Sequence, residues 1–453
     1  MKSVAIIGAG ITGLTAAFCL KRKGVPVTVY EAAARPGGVI QSVRRDGFLA
    51  ESGPNTILET SPEISGLVAD LNLQSRRLYT SPEAEARYVV RGKRAVAMPS
   101  SPPGIFFSEL LSAKAKFALL REPFVPRRND GREESVAEFV SRRLCPEFLD
   151  RLVDALVAGI YAGDPHKLSV QQAFPRLAQL ETKYGSLIKG QIRGARERKK
   201  TGQVARSNAP KFSFDEGLQV LPDTLASQLG DSLKLNTPVA ALAQADGIWR
   251  VKTSNGEFDH SVVIYCGTAF RLAELSITAG RPVDVSAFAE IRYAPVASVV
   301  LGFRREDVAH PCQGFGMLIP RIEGFKILGT IFSSSLFPNR APAGHVLLSS
   351  YVGGERHPEL TKLSPEELIK VTCADLGVLL GVKGKPVFAH TALYPRAIPQ
   401  YNLGYGKYKE LMNHIEPLAR GLFFAGHFRD GVSLGDSITS GSNIAARVEN
   451  FLK

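Results

Sequence analysis

The chain has 453 residues, 44% of them hydrophobic and 22% charged, which fits a folded protein of two or three domains and excludes a disordered or fibrous one. Its 56 basic and 43 acidic residues leave a net charge of +13, which favours an acidic partner: an anionic membrane, an acidic small substrate or nucleic acid. Five scattered cysteines (Cys19, Cys145, Cys266, Cys312, Cys373) without a C-x-x-C pair read as reduced thiols, with neither zinc site nor disulfide frame expected.

Val4 to Ile7 reads as an apolar strand that enters the turn Gly8-Ala9-Gly10-Ile11-Thr12-Gly13, and a helical pattern follows from Leu14 to Arg22. The three glycines have the spacing of a dinucleotide-binding turn. Gly8 permits the sharp bend, Gly10 lets a pyrophosphate approach the backbone, and Gly13 lets the helix lie close to the strand with its amino-terminal amides facing the phosphates. A second strand, Val25 to Tyr30, ends at Glu31, an acid placed to accept hydrogen bonds from ribose hydroxyls. Arg35-Pro36-Gly37-Gly38 follows, then Glu51-Ser52-Gly53-Pro54-Asn55. The second glycine pair suggests another close backbone approach, one that a nicotinamide enzyme does not need.

Downstream, Glu134–Leu144 and Pro146–Ala158 carry apolar residues at helical steps. Leu233–Leu242, Ile248–Thr253 and Phe258–Cys266 read as strands. A later β-rich stretch (Val296–Phe303, Gly316–Ile319, Lys326–Phe332, His345–Val352) fits a mixed sheet with a substrate-facing side, and Ser364–Leu380 reads as a helix with Pro365 in its first turn. Near the end, Gly421 to Gly426 reads as a buried strand. Gly431 to Leu434 reads as a turn, and a helix from Asp436 carries the small residues Gly441, Ala445 and Ala446, expected to press on the sheet. No apolar run reaches the ~18 residues of a membrane span. With the first strand starting at Val4, no leader is expected ahead of it, so the chain is expected in the cytoplasm.

The paired glycines after the first turn resemble the FAD-binding start of amine-oxidase-like flavoproteins. Further motifs narrow the match: Glu134-Ser135-Val136-Ala137-Glu138-Phe139-Val140-Ser141-Arg142-Arg143-Leu144, Ala158-Gly159-Ile160-Tyr161-Ala162-Gly163-Asp164-Pro165, Tyr184-Gly185-Ser186-Leu187, Phe337-Pro338-Asn339-Arg340-Ala341-Pro342, Gly353-Gly354 and Ala397-Ile398-Pro399-Gln400-Tyr401. From end to end the chain is similar to the oxygen-dependent protoporphyrinogen oxidase family. The resemblance implies an α/β fold with α+β insertions. A discontinuous, Rossmann-like FAD-binding domain would comprise 1–84, 206–275 and 411–453, a mixed-sheet substrate-binding domain 276–410, and a helical membrane-associated domain 85–205. It also implies FAD and a tetrapyrrole substrate with acidic side chains. Oxidation to the porphyrin removes six electrons in three hydride transfers to flavin N5, with dioxygen reoxidising the flavin to give hydrogen peroxide. The protein's task would be to hold a bridge carbon about 3–3.5 Å from N5. No catalytic side chain and no metal are expected, because the flavin supplies the chemistry.

Carried over residue by residue, Gly8 to Gly13 would cradle the phosphates, with Glu31 and Ala32 at the adenosine ribose. Arg35, Gly37, Gly38 and Val39 would form the second approach, and Gly53, Pro54, Asn55 and Thr56 would run beside the flavin. Val239 would meet the adenine end, and Gly426, His427, Val432, Ser433 and Leu434 the isoalloxazine, where the last helix would add about half a positive charge and favour reduction. Val39 stands where some members have a bulky aromatic, and Glu216-Gly217 where a double glycine is usual. For the substrate, Arg91 would bind a carboxylate, Leu318 and Ile331 would press on the macrocycle, and Tyr351 would stack on a pyrrole. Ile105, Phe106, Phe107, Leu110 and Leu111 beside Lys114, Lys116 and Arg121, with the basic run Arg193 to Lys200 (Arg196, Arg198, Lys199), resemble the family's membrane-facing region. That would place the protein peripherally on the inner face of the cell membrane. Relatives are often homodimers, and nothing resembles a nucleic-acid-binding motif. Three alternatives stand beside this reading. One is oxidation of coproporphyrinogen III, which has four carboxylates rather than two. The others are an amine oxidase, whose covalent subtype is disfavoured by the lack of any cysteine after Cys373, and a non-catalytic FAD or porphyrin carrier.

Overall fold

A computed structural model describes residues 2–99, 102–201 and 209–453, with the side chains of 102–103 and 195–201 also outside the description. The side chains of Arg196, Arg198 and Lys199 therefore lie outside the described residues. Five parallel strands form the first sheet, in the order Leu233–Lys234, Val27–Tyr30, Val4–Ile7, Val262–Tyr265, Leu422–Phe424. Its central strands are apolar without alternation and buried throughout, as a parallel sheet covered on both faces requires. The helix Ile11–Arg22 crosses between the first two strands. The last helix, Leu434–Leu452, packs on that helix and on the edge strand, where Phe451 meets Phe423 with ring centres 5.4 Å apart. A methyl on Gly441 would lie 2.5 Å from the Thr12 carbonyl oxygen, and the Thr12 hydroxyl donates to the Ser437 carbonyl at 3.1 Å. Of the small residues expected to press on the sheet, Gly441 serves the helix–helix contact, Ala445 is buried in the apolar core shared with the sheet, and Ala446 is exposed.

A second sheet of five strands runs Gly256–His260, Ile248–Thr253, Val239–Ala245, Ser276–Ala279, Arg281–Pro282. The third has seven: Phe388–Pro399, Tyr293–Arg304, His345–Gly353, Ile327–Phe332, Gly316–Leu318, Arg87–Arg91 and Arg94–Ala97. The last two belong to a stretch read from sequence as part of the helical insertion. They form a hairpin that extends this sheet, with Arg87–Arg91 parallel to Gly316–Leu318. One face of this sheet is covered by the helix Pro365–Leu380, which Ser364 starts with a reciprocal capping box.

The insertion from 102 to 201 is helical. The stretch expected as one helix over Pro146–Ala158 is interrupted by a π-helical turn, Leu149–Val153. A buried charge network holds the unit together. The Arg143 and Glu122 side chains are fully buried as an ion pair, and Arg142 bridges Glu134 and Glu181. Glu122 also accepts the Ser186 hydroxyl at 2.5 Å and the Leu187 and Ile188 amides at 2.8 and 3.1 Å. The E-S-V-A-E-F-V-S-R-R-L and Y-G-S-L motifs are thus the two sides of one joint. Leu110 and Leu111, expected on the membrane-facing surface, are buried at 1% and 4%. The outer surface carries Phe107 (88% exposed), Phe117, Leu120, Phe124 (84%) and Ile192 instead. Among the described residues no helix is long and apolar enough to cross a membrane.

Candidate active site

At the carboxyl edge of the parallel sheet, Gly8 has a positive φ of 102°, a conformation that only glycine adopts without strain. A methyl on Gly13 would sit 2.0 Å from the Gly8 carbonyl oxygen, whereas one on Gly10 would meet no protein atom within 4 Å. The helix that begins at Ile11 has neither a side-chain cap nor an acidic residue in its first turn. Its first amides therefore face an open cradle with the partial positive charge of the helix end behind them. The Glu31 carboxylate accepts the Ala9 amide at 2.7 Å and the Ala33 amide at 2.8 Å. Ala32 lies on the turn between them. The Thr237 amide donates to the Glu31 carbonyl at 2.8 Å, which brings the start of Val239–Ala245 beside the acid. The Thr268 hydroxyl, just past the neighbouring strand Val262–Tyr265, is buried and has no partner. An open anion cradle, an acid at the next strand end and an orphaned hydroxyl fit the diphosphate and ribose of a dinucleotide.

The second glycine loop docks on the first. The Gly37 amide donates to the Ala9 carbonyl at 2.8 Å, and a methyl on Gly38 would lie 3.6 Å from the Gly10 Cα. Arg35 donates to the carbonyls of Pro36, Gly38 and Ile40, so its guanidinium pins this loop. Val39 is 47% exposed, and its carbonyl oxygen would be 2.5 Å from a methyl on Gly53. Gly53, Pro54, Asn55 and Thr56 thus form a strap against the loop. Glu216, the departure from a double glycine, pairs with Arg44 at 2.7 Å.

The strap is tied to the seven-stranded sheet. The Tyr351 hydroxyl donates to the Gly53 carbonyl at 3.0 Å and accepts from the Asn55 amide group at 2.6 Å, and Ser52 meets His390 at 2.8 Å. Burial pushes the Tyr351 phenol well above its usual value, so it stays protonated and can donate. Strand register places the four residues read as substrate-binding on one face. Leu318 pairs with Val89, two residues before Arg91. Leu318 also pairs with Gly329, which pairs with Tyr351, and Ile331 pairs with Gly316. All four are half-buried, while their neighbours Val90, Met317, Thr330 and Ser350 on the other face are buried. A methyl on Gly159 would lie 2.6 Å from Leu318 Cδ2. The end of the helix Asp154–Tyr161, which carries the first residues of the G-I-Y-A-G motif, therefore packs over this face.

The carboxy-terminal segment meets the same edge. A methyl on Gly426 would lie 3.7 Å from the Thr12 hydroxyl. The His427 Nε2 and the Tyr293 hydroxyl are 3.2 Å apart, and burial lowers the imidazole to about 4, so it is neutral at neutral pH. Val432 leads to Ser433, which caps Leu434–Leu452 by accepting the Asp436 amide. Two helix starts, at Ile11 and Leu434, thus converge at one sheet edge with His427 nearby. Tyr293 and Tyr401, which hold this loop, were not singled out as site residues. No local motif surrounds Tyr293, and Tyr401 stood in a motif whose role the spacing does not reveal.

The model for flavin-containing amine oxidoreductases matches residues 11–449. The chain is 36% identical to protoporphyrinogen oxidase 2, chloroplastic/mitochondrial, of Arabidopsis thaliana, over 100% of this chain and 94% of that one. It is 35% identical to the mitochondrial protoporphyrinogen oxidase of Nicotiana tabacum (100% and 95%) and 30% identical to coproporphyrinogen III oxidase of Bacillus subtilis (100% and 98%). In fold it is similar to a crystal structure from Exiguobacterium sp. 255-15 assigned as a protoporphyrinogen oxidase, with a TM-score of 0.82 and 23% identity over 99% of both chains. The chain is an FAD-dependent oxidoreductase of the protoporphyrinogen oxidase family, within the flavin-containing amine oxidoreductases.

Proposed function

We propose that this chain oxidises protoporphyrinogen IX to protoporphyrin IX, a six-electron reaction with dioxygen as the final acceptor and hydrogen peroxide as product. The observation that carries the reading is the sheet face on which Leu318, Ile331 and Tyr351 offer an apolar and aromatic surface with Arg91 at its edge. Such a face suits a broad macrocycle with few carboxylates. The plant relatives named for protoporphyrinogen, at 36% and 35% identity, favour it over coproporphyrinogen III, named for a relative at 30%. FAD, when bound, supplies the two-electron acceptor. Gly8 to Gly13 and Glu31 would hold its diphosphate and ribose, and the strap at 53–56 with His427 to Leu434 would flank its ring. The chain's own residues orient and shield. Tyr351 and Asn55 fix the strap against the sheet, Leu318 and Ile331 exclude water, and Arg91 anchors a propionate by a charge-assisted hydrogen bond of about 1.5–3 kcal/mol. Arg91→Ala should raise KM by about tenfold or more and leave FAD content unchanged. An unchanged KM would remove the carboxylate role. Rates of porphyrin fluorescence growth with each porphyrinogen test the substrate: a higher kcat/KM for coproporphyrinogen III would reverse the assignment.

The exposed Phe107, Phe117, Leu120, Phe124 and Ile192 lie on the same insertion as Lys114, Lys116, Arg121 and Lys189, the last positioned 5.9 Å from the Phe124 ring centre. This combination supports docking on an anionic leaflet, where each basic residue near the surface contributes about 1 kcal/mol. The protein should float with anionic vesicles at low salt, and Phe107→Ser with Phe124→Ser should release it. Wild-type protein left wholly in solution would defeat membrane docking.

A further inference from the structure

The last two residues of the A-I-P-Q-Y motif join three segments. Tyr401, 2% exposed, donates its hydroxyl to the His427 carbonyl at 2.5 Å and accepts the Gly431 amide at 3.0 Å. One oxygen thus spans both ends of the loop 427–431. Tyr405 adds a third tie, donating to the Phe428 carbonyl at 2.6 Å. The Tyr401 ring packs on Tyr405 and Tyr161 with centres 4.4 and 6.0 Å apart, which leaves the phenol little freedom to move. The Tyr401 carbonyl accepts the Ser169 amide at 2.9 Å.

The neighbouring residue faces the other way. Gln400, also 2% exposed, donates through Nε2 to the Tyr161 carbonyl at 2.8 Å and to the Ile398 carbonyl at 3.0 Å. A methyl on Gly163 would lie 2.5 Å from its Oε1. The same turn is held from its far side, where Glu355 donates its amide to the Ala162 carbonyl at 2.7 Å. This turn directly follows the helix Asp154–Tyr161, whose Gly159 lies against Leu318. Adjacent residues of one chain segment therefore grip the loop that carries His427 and the turn after the helix that packs over the substrate face.

We propose that Tyr401 and Gln400 are positioning residues for the oxidation, Tyr401 fixing the loop 427–431 beside the flavin ring and Gln400 keying the turn 161–163 to that setting. The inference rests on the reading that this loop flanks the flavin and this sheet face binds the porphyrinogen. Neither side chain touches a reacting atom. Each sets the distance between two groups that do, and a displacement approaching 1 Å costs about a hundredfold in rate.

The test uses flavin-loaded full-length protein. Tyr401→Phe removes one oxygen and keeps the ring. It should retain its FAD, shift the visible band of the bound flavin, and lower kcat by about tenfold to a hundredfold with KM within about twofold of wild type. Gln400→Met should leave the band in place and raise KM by about tenfold. Tyr408→Phe, which removes a hydroxyl from the surface pair with Glu290, should leave band, kcat and KM as in wild type. A Tyr401→Phe protein with the wild-type band and kcat would overturn the Tyr401 role even if its melting temperature fell, and an unchanged KM in Gln400→Met would overturn the Gln400 role. Wild-type protein that no porphyrinogen reduces would instead overturn the reading beneath, and the inference with it.

Discussion

Gly13→Ala is expected to strip the protein of flavin and lower its melting temperature, whereas Gly10→Ala should weaken flavin binding and leave the melting temperature unchanged. The two glycines stand three residues apart in one turn but face different neighbours. A methyl on Gly13 would be 2.0 Å from the Gly8 carbonyl oxygen, a backbone atom that no rotamer change can move. The strand Val4–Ile7 and helix Ile11–Arg22 must then separate, at a cost of about 1–3 kcal/mol for an overpacked core site, and the amides that form the cradle lose alignment. That strain corresponds to about a tenfold to hundredfold loss of FAD affinity. A methyl on Gly10 meets no protein atom. It costs the fold nothing and occupies the space where the diphosphate would approach. Flavin absorbance per protein after desalting, set beside thermal melts of both variants, separates the two effects. Equal flavin content in Gly10→Ala and wild type would mean that the diphosphate lies elsewhere.

Arg143→Met is expected to unfold the helical insertion while the flavin domain holds. Arg143 and Glu122 are an ion pair with both side chains fully buried. Removing one partner of such a pair costs about 3–5 kcal/mol, because the remaining charge is left uncompensated. Burial by itself would push the Glu122 carboxyl up. The Ser186 hydroxyl, the Leu187 and Ile188 amides and Arg143 together outweigh that and hold it below the usual carboxylate range. Its stabilising contribution is therefore complete above about pH 4 and is lost as pH falls through the lowered value. In Arg143→Met that loss should begin at a higher pH. Far-UV circular dichroism should show an early transition, with proteolytic cuts between 122 and 187, ahead of flavin release. A single transition at the wild-type temperature would contradict the network's role.

What could be read from the sequence follows from how local each constraint is. The Gly8–Gly13 turn was legible because a tight turn and a close helix approach impose residue types on adjacent positions. Glu31 was legible because the next strand end is brought beside that turn by a single crossover. Arg91, Leu318, Ile331 and Tyr351 come from four strands. Only the family resemblance could gather them, and only the register puts them on one face. The hairpin Arg87–Ala97 was missed because an edge hairpin carries little apolar patterning and its partner, Gly316–Leu318, lies far along the chain. Leu110 and Leu111 were misjudged because a run of apolar residues does not reveal which of them turn inward, while Phe117, Leu120 and Phe124 stood outside the cluster as read. The charge joint of Arg142 and Arg143 was visible as a motif but not as a joint, since Glu122 and Glu181 reach it from separate helical segments.

The measurement that bears most directly on the whole account is anaerobic mixing of the purified, flavin-loaded protein with protoporphyrinogen IX in a rapid-mixing spectrometer. Loss of the visible flavin band within a single turnover, faster than with coproporphyrinogen III and reversed by admitting oxygen, is the result expected. A flavin band that neither porphyrinogen diminishes would contradict it.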